Sequence, residues 1–471
     1  MKKALFFVFI FVLINGFTYG QRFLGVATGR WNAMNSVFLN PASIAGCNEK
    51  LAVSLFSVNV GVDNNLGTIS SISDISKSLK SNDSGSTGNI FKYTKSNDFS
   101  MMLPMVEMRG PGVLYRINSR HTVALTTRVR VFNEFNNFNR NLYNTITNPG
   151  TAAQQGTTHL TSKNFNWTAH VWSEIGLSYG VVAVDNEQYQ VKAGVSLKYL
   201  GGIGYLGLKG KNLDITYING SDSVYASNSD IEFASNVSGA GDAFANGINS
   251  SKILGGANGG KGIGADLGIT FLYNPDGSGS ATKDRADNAQ DNNYKLIVSA
   301  SIIDLGAIKY NRSSFVNLAG NGYITGRGIV QNVKNYEDFR AYALQHGYSA
   351  DTGIAATKVY LPASLLISAD YNIYSHFYAN AIFSGSLAND QNFGSKIYSQ
   401  FSVIPRYDTK LISAGLPLTY NMLSHSLRIG LGLRITGFYL GSDDMMALFS
   451  GNQYGFNFYM GGVIPIFRNS K

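Results

Sequence analysis

Apolar residues recur at every second position in this chain, and no uncharged apolar run after the leader is long enough for a membrane helix. Over residues 427–435 one set is Leu427, Ile429, Leu431, Leu433 and Ile435, and the other is Arg428, Gly430, Gly432 and Arg434. Over 189–199, Tyr189, Val191, Ala193, Val195, Leu197 and Tyr199 alternate with Gln190, Lys192, Gly194, Ser196 and Lys198. Residues 361–373 repeat the pattern. A helix would scatter these side chains around its circumference, whereas a strand puts each set on one face. Leu431 is thus expected to face lipid and Gly432 a lumen that also carries Arg428 and Arg434.

The leader itself is a targeting signal. Lys2 and Lys3 precede the apolar residues 4–14, Asn15 and Gly16 break the run, and cleavage is expected before Gln21. Net charge falls from +9 to +7 when the two lysines leave. That balance suits either a solvated rim or contact with anionic lipid or solute. The single cysteine, Cys47, excludes an internal disulfide, lies too far from the signal to carry a lipid, and reads as a small buried residue.

Composition separates a membrane barrel from a soluble exported β-protein with adhesive loops. Charged residues make up only 14%, against about 25% in soluble domains. Tyr (27), Phe (28) and Gly (52) are abundant, and mean hydropathy is −0.03. Strands that alternate lipid-facing apolar residues with small or polar lumen residues give this near-neutral mean. Aromatic residues also sit at strand ends, as in a membrane girdle: Tyr189 and Tyr199, and then Tyr454, Phe456 and Phe458.

The fold expected is all-β: a transmembrane antiparallel β-barrel of about 14 strands, with an N-terminal hatch-like segment and long surface loops. Its parts are a signal peptide (1–20), the hatch-like segment (21–50), the outer-membrane barrel (51–467) and a tail (468–471). Candidate strands are 51–62, 99–108, 112–117, 122–132, 171–184, 189–200, 205–218, 264–273, 295–304, 307–316, 361–373, 376–385, 398–407, 410–418, 426–435, 438–441 and 454–467, the shortest of which merge or drop out. Polar connections are expected at 133–167, 219–261, 274–293 and 311–358, with a helix over 335–346, and short turns at 118–120, 185–188 and 423–425. Long connections at one end and short turns at the other are the barrel's usual asymmetry. No periplasmic domain is expected after the last strand.

Two stretches near the mature N-terminus, Gly25-Val26-Ala27-Thr28 and the Asn40-Pro41-Ala42 motif within VFLNPASIAG (37–46), resemble the corresponding segment of FadL-like outer-membrane barrels. VEMRGPGVLYR (106–116), HTVALTTRVRV (121–131), SIIDLGAIKYN (301–311) and YLPASLLISADY (360–371) resemble an uncharacterised Bacteroidetes branch of that group. The resemblance implies a 14-stranded barrel holding its N-terminal segment inside as a hatch. It also implies uptake of hydrophobic molecules with lateral release into the membrane or, as in other members, docking of partner proteins. No apolar ligand box is evident in the sequence. From the residues alone, Pro41 fixes φ and Asn40 stabilises a turn, which serves a hatch or a simple lead-in to the first strand equally well.

Charges inside strands are the most informative polar residues. Arg128, Arg130, Arg428 and Arg434 lie opposite the apolar faces, and a cation facing lipid at midplane costs about 2–4 kcal/mol, so they are expected to face the lumen. There they either form a network with Glu107, Glu174, Glu232 or Asp370, or line a positive constriction for an anionic solute.

No catalytic residue, cofactor or metal is expected. The stretch GGANGGKG (255–262) resembles a phosphate loop, but Gly262 stands where Ser or Thr should follow Lys261, and a strand pattern follows instead of a helix. It reads as a flexible loop. Asp284, Asp287 and Asp291 lack the spacing of a calcium loop, the six histidines lack zinc spacing, and Ser424-His425-Ser426 reads as a turn rather than part of a hydrolase. A non-enzymatic barrel of the bacterial outer membrane is the resulting reading, in contact with lipid including lipopolysaccharide, with no nucleic-acid partner. It transports or binds a small hydrophobic molecule; the alternative is an accessory subunit of an outer-membrane secretion or assembly complex, docking through its loops.

Overall fold

A computed structural model of the chain describes residues 23–69, 91–93, 98–140, 158–186, 188–217, 223–236, 259–275, 294–325, 336–389, 392–446 and 453–467. The signal peptide, its cleavage site, the tail 468–471 and the Asp284, Asp287 and Asp291 connection lie outside the described residues.

Fourteen antiparallel strand positions close into one ring. In chain order they are β1 (Glu49–Asn64), β2 (Asp98–Arg109 continued by Gly112–Arg116), β3 (His121–Asn139), β4 (Thr158–Asp185), β5 (Tyr189–Tyr217) and β6 (Ser223–Ser235 in line with Gly260–Tyr273). The ring continues with β7 (Leu296–Thr325), β8 (Tyr348–Tyr360 in line with Ser364–Tyr374), β9 (Phe377–Ser386) and β10 (Gln400–Asp408). It ends with β11 (Ile412–Gly415 and Leu418–Asn421), β12 (Ser426–Ile429 and Leu431–Ile435), β13 (Phe438–Ser442) and β14 (Gly455–Phe467). β14 pairs with β1 from Glu49↔Phe467 to Asp63↔Gly455, and closure leaves no sheet edge in hydrocarbon. No described helix is long and apolar enough to cross a membrane; the chain crosses with strands.

Alternation holds where the wall meets lipid. Leu197, Ile263, Leu427, Ile435 and Phe438 are exposed on the outside, while their neighbours Lys198, Arg428 and Arg434 are buried inside. Tyr189 and Tyr273 are register partners at the short-turn end. There, Lys50 stands 4.7 Å from the ring of Tyr115 and Lys295 4.5 Å from that of Tyr371, as amphipathic residues do at a headgroup boundary.

Several sequence expectations are corrected. The two candidates at 189–200 and 205–218 fall in one strand, Tyr189–Tyr217, and those at 295–304 and 307–316 in another, Leu296–Thr325. The stretches 133–167, 219–261 and 311–358, read as connections, hold long parts of β3, β4, β6, β7 and β8. Their polarity has a physical cause. Spanning takes about 9–11 residues, yet β4, β5 and β7 run to 28, 29 and 30. Above the bilayer both faces meet water or loops, and the apolar alternation ends. Gly260, Lys261 and Gly262, read as loop, open the second part of β6, whereas 251–258 lie outside the described residues.

This tall side of the wall forms a cup. Inside it, Phe99, Phe138 and Phe165 pack with Tyr348 and Ala343, the latter from the helix expected near 335–346, observed at Tyr336–Gln345. Lower down, residues 392–399 fold inward between β9 and β10. Phe393, Ile397 and Tyr398 pack with Trp172, Tyr205 and Tyr310, and the Lys396 amide donates to both oxygens of Glu134, at 2.8 and 3.1 Å.

Candidate functional site

The interior is built around residues 23–47, which contain α1 (Leu24–Ala27), α2 (Ala33–Ser36) and a 3-10 turn (Pro41–Ile44). Asn40 starts that turn: its Oδ1 accepts from the Ala42 amide at 2.8 Å, and Pro41 follows with its φ already set. The Asn40 amide nitrogen then donates to Ile269 O and Thr270 Oγ1 in β6, both at 3.2 Å. The motif is therefore both a turn and an anchor to the wall.

Two rows of glycine receive the segment. Gly180, Gly194 and Gly268 are in register across β4, β5 and β6. A side chain at Gly194 would overlap the backbone of Pro41 and Ala42, and one at Gly268 would overlap Asn40. Gly415, Gly432 and Gly441 are in register across β11, β12 and β13, and a Cβ on Gly432 would stand 2.7 Å from the Cα of Gly25. β5 and β12 are seven positions apart in a ring of fourteen, so the segment crosses the lumen and is gripped at both ends. Gly432 is hence not an open lumen position, contrary to the expectation from alternation; the face is right, but the space is taken by backbone.

Asp443, just past β13, fixes the beginning of the segment by accepting from the Leu24 and Gly25 amides, each at 3.1 Å. Burial pushes its carboxyl up to about 6. Phe23 and Phe38 sandwich Arg109, whose guanidinium carbon lies 4.0 and 4.1 Å from the two rings. Arg109 also donates to Asn35 at 2.8 Å.

Arg128 and Arg130 converge on one acid hub. Asp304 accepts from Arg128, Arg130 and Lys198 at 2.9, 2.9 and 2.8 Å. Glu174 binds Arg128 at 2.6 Å, Asp266 binds Lys198 at 2.6 Å, and Glu107 binds Arg109 at 2.7 Å. Four cations and four carboxylates are thus buried together without net charge. Asp304 itself has φ 58°, in the left-handed region that glycine, asparagine and aspartate reach more readily than other residues, and its amide donates to Asp266 at 2.7 Å.

The other two arginines lie elsewhere. Arg428 binds Asp63 at 2.7 Å and Asp444 at 3.4 Å. Arg434 sits at the short-turn end, donating to Thr409 O at 2.6 Å and Thr436 O at 2.8 Å, with Asp408 at 3.4 Å. The four residues form no single positive ring; each is neutralised locally. Of the acids expected as partners, Glu107 and Glu174 join the hub, Asp370 instead holds Arg406 at 2.7 Å, and Glu232 pairs with Lys209 at 2.6 Å. The sequence reading missed Asp304, Asp266, Asp63 and Asp408 as partners. Their signal was present: each is an acid inside or at the end of an apolar strand, where only the lumen can accept it.

A cavity of about 500 Å³ opens where one strand shifts register and its neighbour is interrupted. β7 is continuous but slips against β6 at residues 303–304, and β8 breaks at 361–363, where Leu361 N still donates to Gly306 O at 3.0 Å. The lining combines Asn136 and Asn166 from the lumen face with Ile263 and Tyr360, which are exposed on the outer face, and residues of the inward segment such as Asn392 and Lys396. A second cavity, of about 170 Å³, lies beneath residues 27–48 toward the short-turn end. Ser424 and His425 lie on the turn after β11, where Ser424 Oγ bonds Ser426 Oγ at 2.7 Å and the His425 ring faces Tyr420.

Residues 41–443 match a family model described as "Family of unknown function (DUF5723)". No curated protein matches the chain. Among solved structures, it is similar to a Pseudomonas aeruginosa FadL homologue at 11% identity, covering 96% of this chain and 100% of that one with a TM-score of 0.40. It is also similar to the Ralstonia pickettii toluene transporter TbuX at 11% identity, with 92% and 94% coverage and a TM-score of 0.38. The Pseudomonas putida toluene transporter TodX follows at 9% identity, with 93% and 94% coverage and a TM-score of 0.34.

Proposed function

The chain belongs to the family of unknown function DUF5723, and we propose that it is a non-enzymatic outer-membrane barrel that binds a small hydrophobic or amphipathic molecule and passes it through the wall rather than along the axis. The observation that carries this reading is the 500 Å³ cavity at the register shift of β7 and the break in β8, lined from both faces of the wall. Its volume falls within the range of small-molecule sites. Axial passage is disfavoured, because residues 23–47 and the neutral ion-pair hub occupy the lumen below it. Ile263 and Leu361 supply apolar wall, while Asn136, Asn166 and Lys396 can orient a polar end.

The test fills the cavity. Ala363→Trp and Ala388→Trp variants are purified in mild detergent as heat-modifiable barrels, and co-purifying small molecules are identified by mass spectrometry. Wild-type protein is expected to retain and take up an apolar or amphipathic compound that both variants lose. No bound compound in the wild type, or equal retention by folded variants, would overturn the reading.

A further inference from the structure

Lys192 is buried to 8% exposure inside β5, and no described acid lies within ion-pair distance of its ammonium. Buried cations are costly unless paired, and every other buried lumen cation named above has a carboxylate. Lys192 instead lines the 170 Å³ cavity beneath the N-terminal segment.

The chemistry around that cavity has one sign. Arg30 also lines it; this guanidinium stands 5.4 Å from the Tyr294 ring and donates to the Tyr378 hydroxyl at 2.6 Å. The one carboxylate among the described lining residues, Asp370, already accepts twice from Arg406, at 2.7 Å each, and from the Tyr294 hydroxyl. Asp185, on the hairpin of Lys192, is held by Gln190 at 3.0 Å. Cys47 adds no charge, since burial pushes its thiol up to about 12. Hydroxyl donors complete the wall as two pairs, Ser43 with Ser36 at 3.0 Å and Ser299 with Ser368 at 2.8 Å. The volume corresponds to roughly six waters, enough for a tetrahedral oxyanion with partial hydration.

We propose that this cavity is a binding site for a phosphate-sized oxyanion, with Lys192 as its principal cation and Arg30 and the serine hydroxyls as further donors. Such a ligand supplies the counter-charge that Lys192 lacks and ties β5 to the N-terminal segment, since Ser36, Ser43 and Arg30 belong to that segment and Lys192 to the wall. The same chemistry is offered by free phosphate and by a phosphorylated lipid headgroup reaching the short-turn mouth. This site is independent of the cavity at the β7–β8 interruption, so either reading can fail alone.

The experiment uses the full barrel in a phosphate-free, zwitterionic detergent. Inorganic phosphate and short-chain phosphatidic acid are titrated separately by calorimetry against wild type, Lys192→Met and Lys192→Arg. Saturable binding of either probe is expected, weakened roughly tenfold or more in Lys192→Met and largely kept in Lys192→Arg, the size of one lost charge-assisted contact. Binding of phosphate identifies a free anion as sufficient; binding of phosphatidic acid alone identifies a headgroup. Should Lys192→Met fail to fold, the wild type still reports: a small amine-reactive label on Lys192, read by mass spectrometry, is expected to be slowed by the bound probe. Absence of saturable binding by both probes, binding unchanged in folded Lys192→Met, or labelling unaffected by either probe would overturn the proposal.

Discussion

Asp304 and Arg130 meet at 2.9 Å across 174 residues of chain, and the same carboxylate takes Arg128 and Lys198. Removing that charge strands three cations beside the remaining acids. Asp304→Asn is expected to destabilise the barrel by about 3–5 kcal/mol, the usual cost of breaking a buried ion pair from one side. A urea titration of refolded protein in micelles, followed by heat-modifiability, checks this. A midpoint equal to wild type would show that the hub is dispensable.

The two glycine rows predict a separable failure. Gly194→Leu and Gly432→Arg each place a side chain where Pro41–Ala42 or Gly25 backbone lies. Both are expected to release the N-terminal segment while the wall still closes. The measurement is limited proteolysis of folded barrel: cleavage within 23–48 should rise strongly in both variants. Protection equal to wild type would place the segment elsewhere.

Leu197 is exposed on the outer face while the next residue, Lys198, is buried inside. Leu197→Arg puts a cation into hydrocarbon, at about 2–4 kcal/mol near midplane. The yield of heat-modifiable barrel is expected to fall well below that of His376→Arg, which lies at an exposed short turn. Equal yields would mean that the faces of β5 are reversed.

The Asp443 anchor gives a pH dependence. Its carboxyl titrates near 6 in the folded protein and near the ordinary 3.8 once unfolded, so the folded state holds the proton through that window. The stability this group contributes against unfolding is therefore fully present below about 3.8 and is lost as pH rises through 6. The urea midpoint of the refolded barrel should be lower at pH 8 than at pH 5, and the part of that difference due to Asp443 should vanish in Asp443→Asn. A difference between the two pH values that is the same in Asp443→Asn would count against this role of Asp443.

The sequence by itself determined the wall. Period-two alternation set the strands, the inward placement of Arg128, Arg130, Arg428 and Arg434, and a closed barrel, because lipid tolerates neither charge nor a free sheet edge; the count of about 14 came from the even strand numbers of such barrels and from the FadL-like resemblance. It also marked Asn40-Pro41-Ala42 as a turn, since that chemistry is local. It did not reveal the upper strands, whose alternation ends once both faces leave the bilayer. Only the tertiary structure decided which charges pair. Asp304 reaches Arg130, and Lys192 is left with no described acid within ion-pair distance, because strand register and ring closure bring together residues far apart in the chain. The same closure set Gly194 and Gly432 on opposite walls, where their lack of side chains makes room for one segment; alternation names the face of a residue but not what already fills the space in front of it.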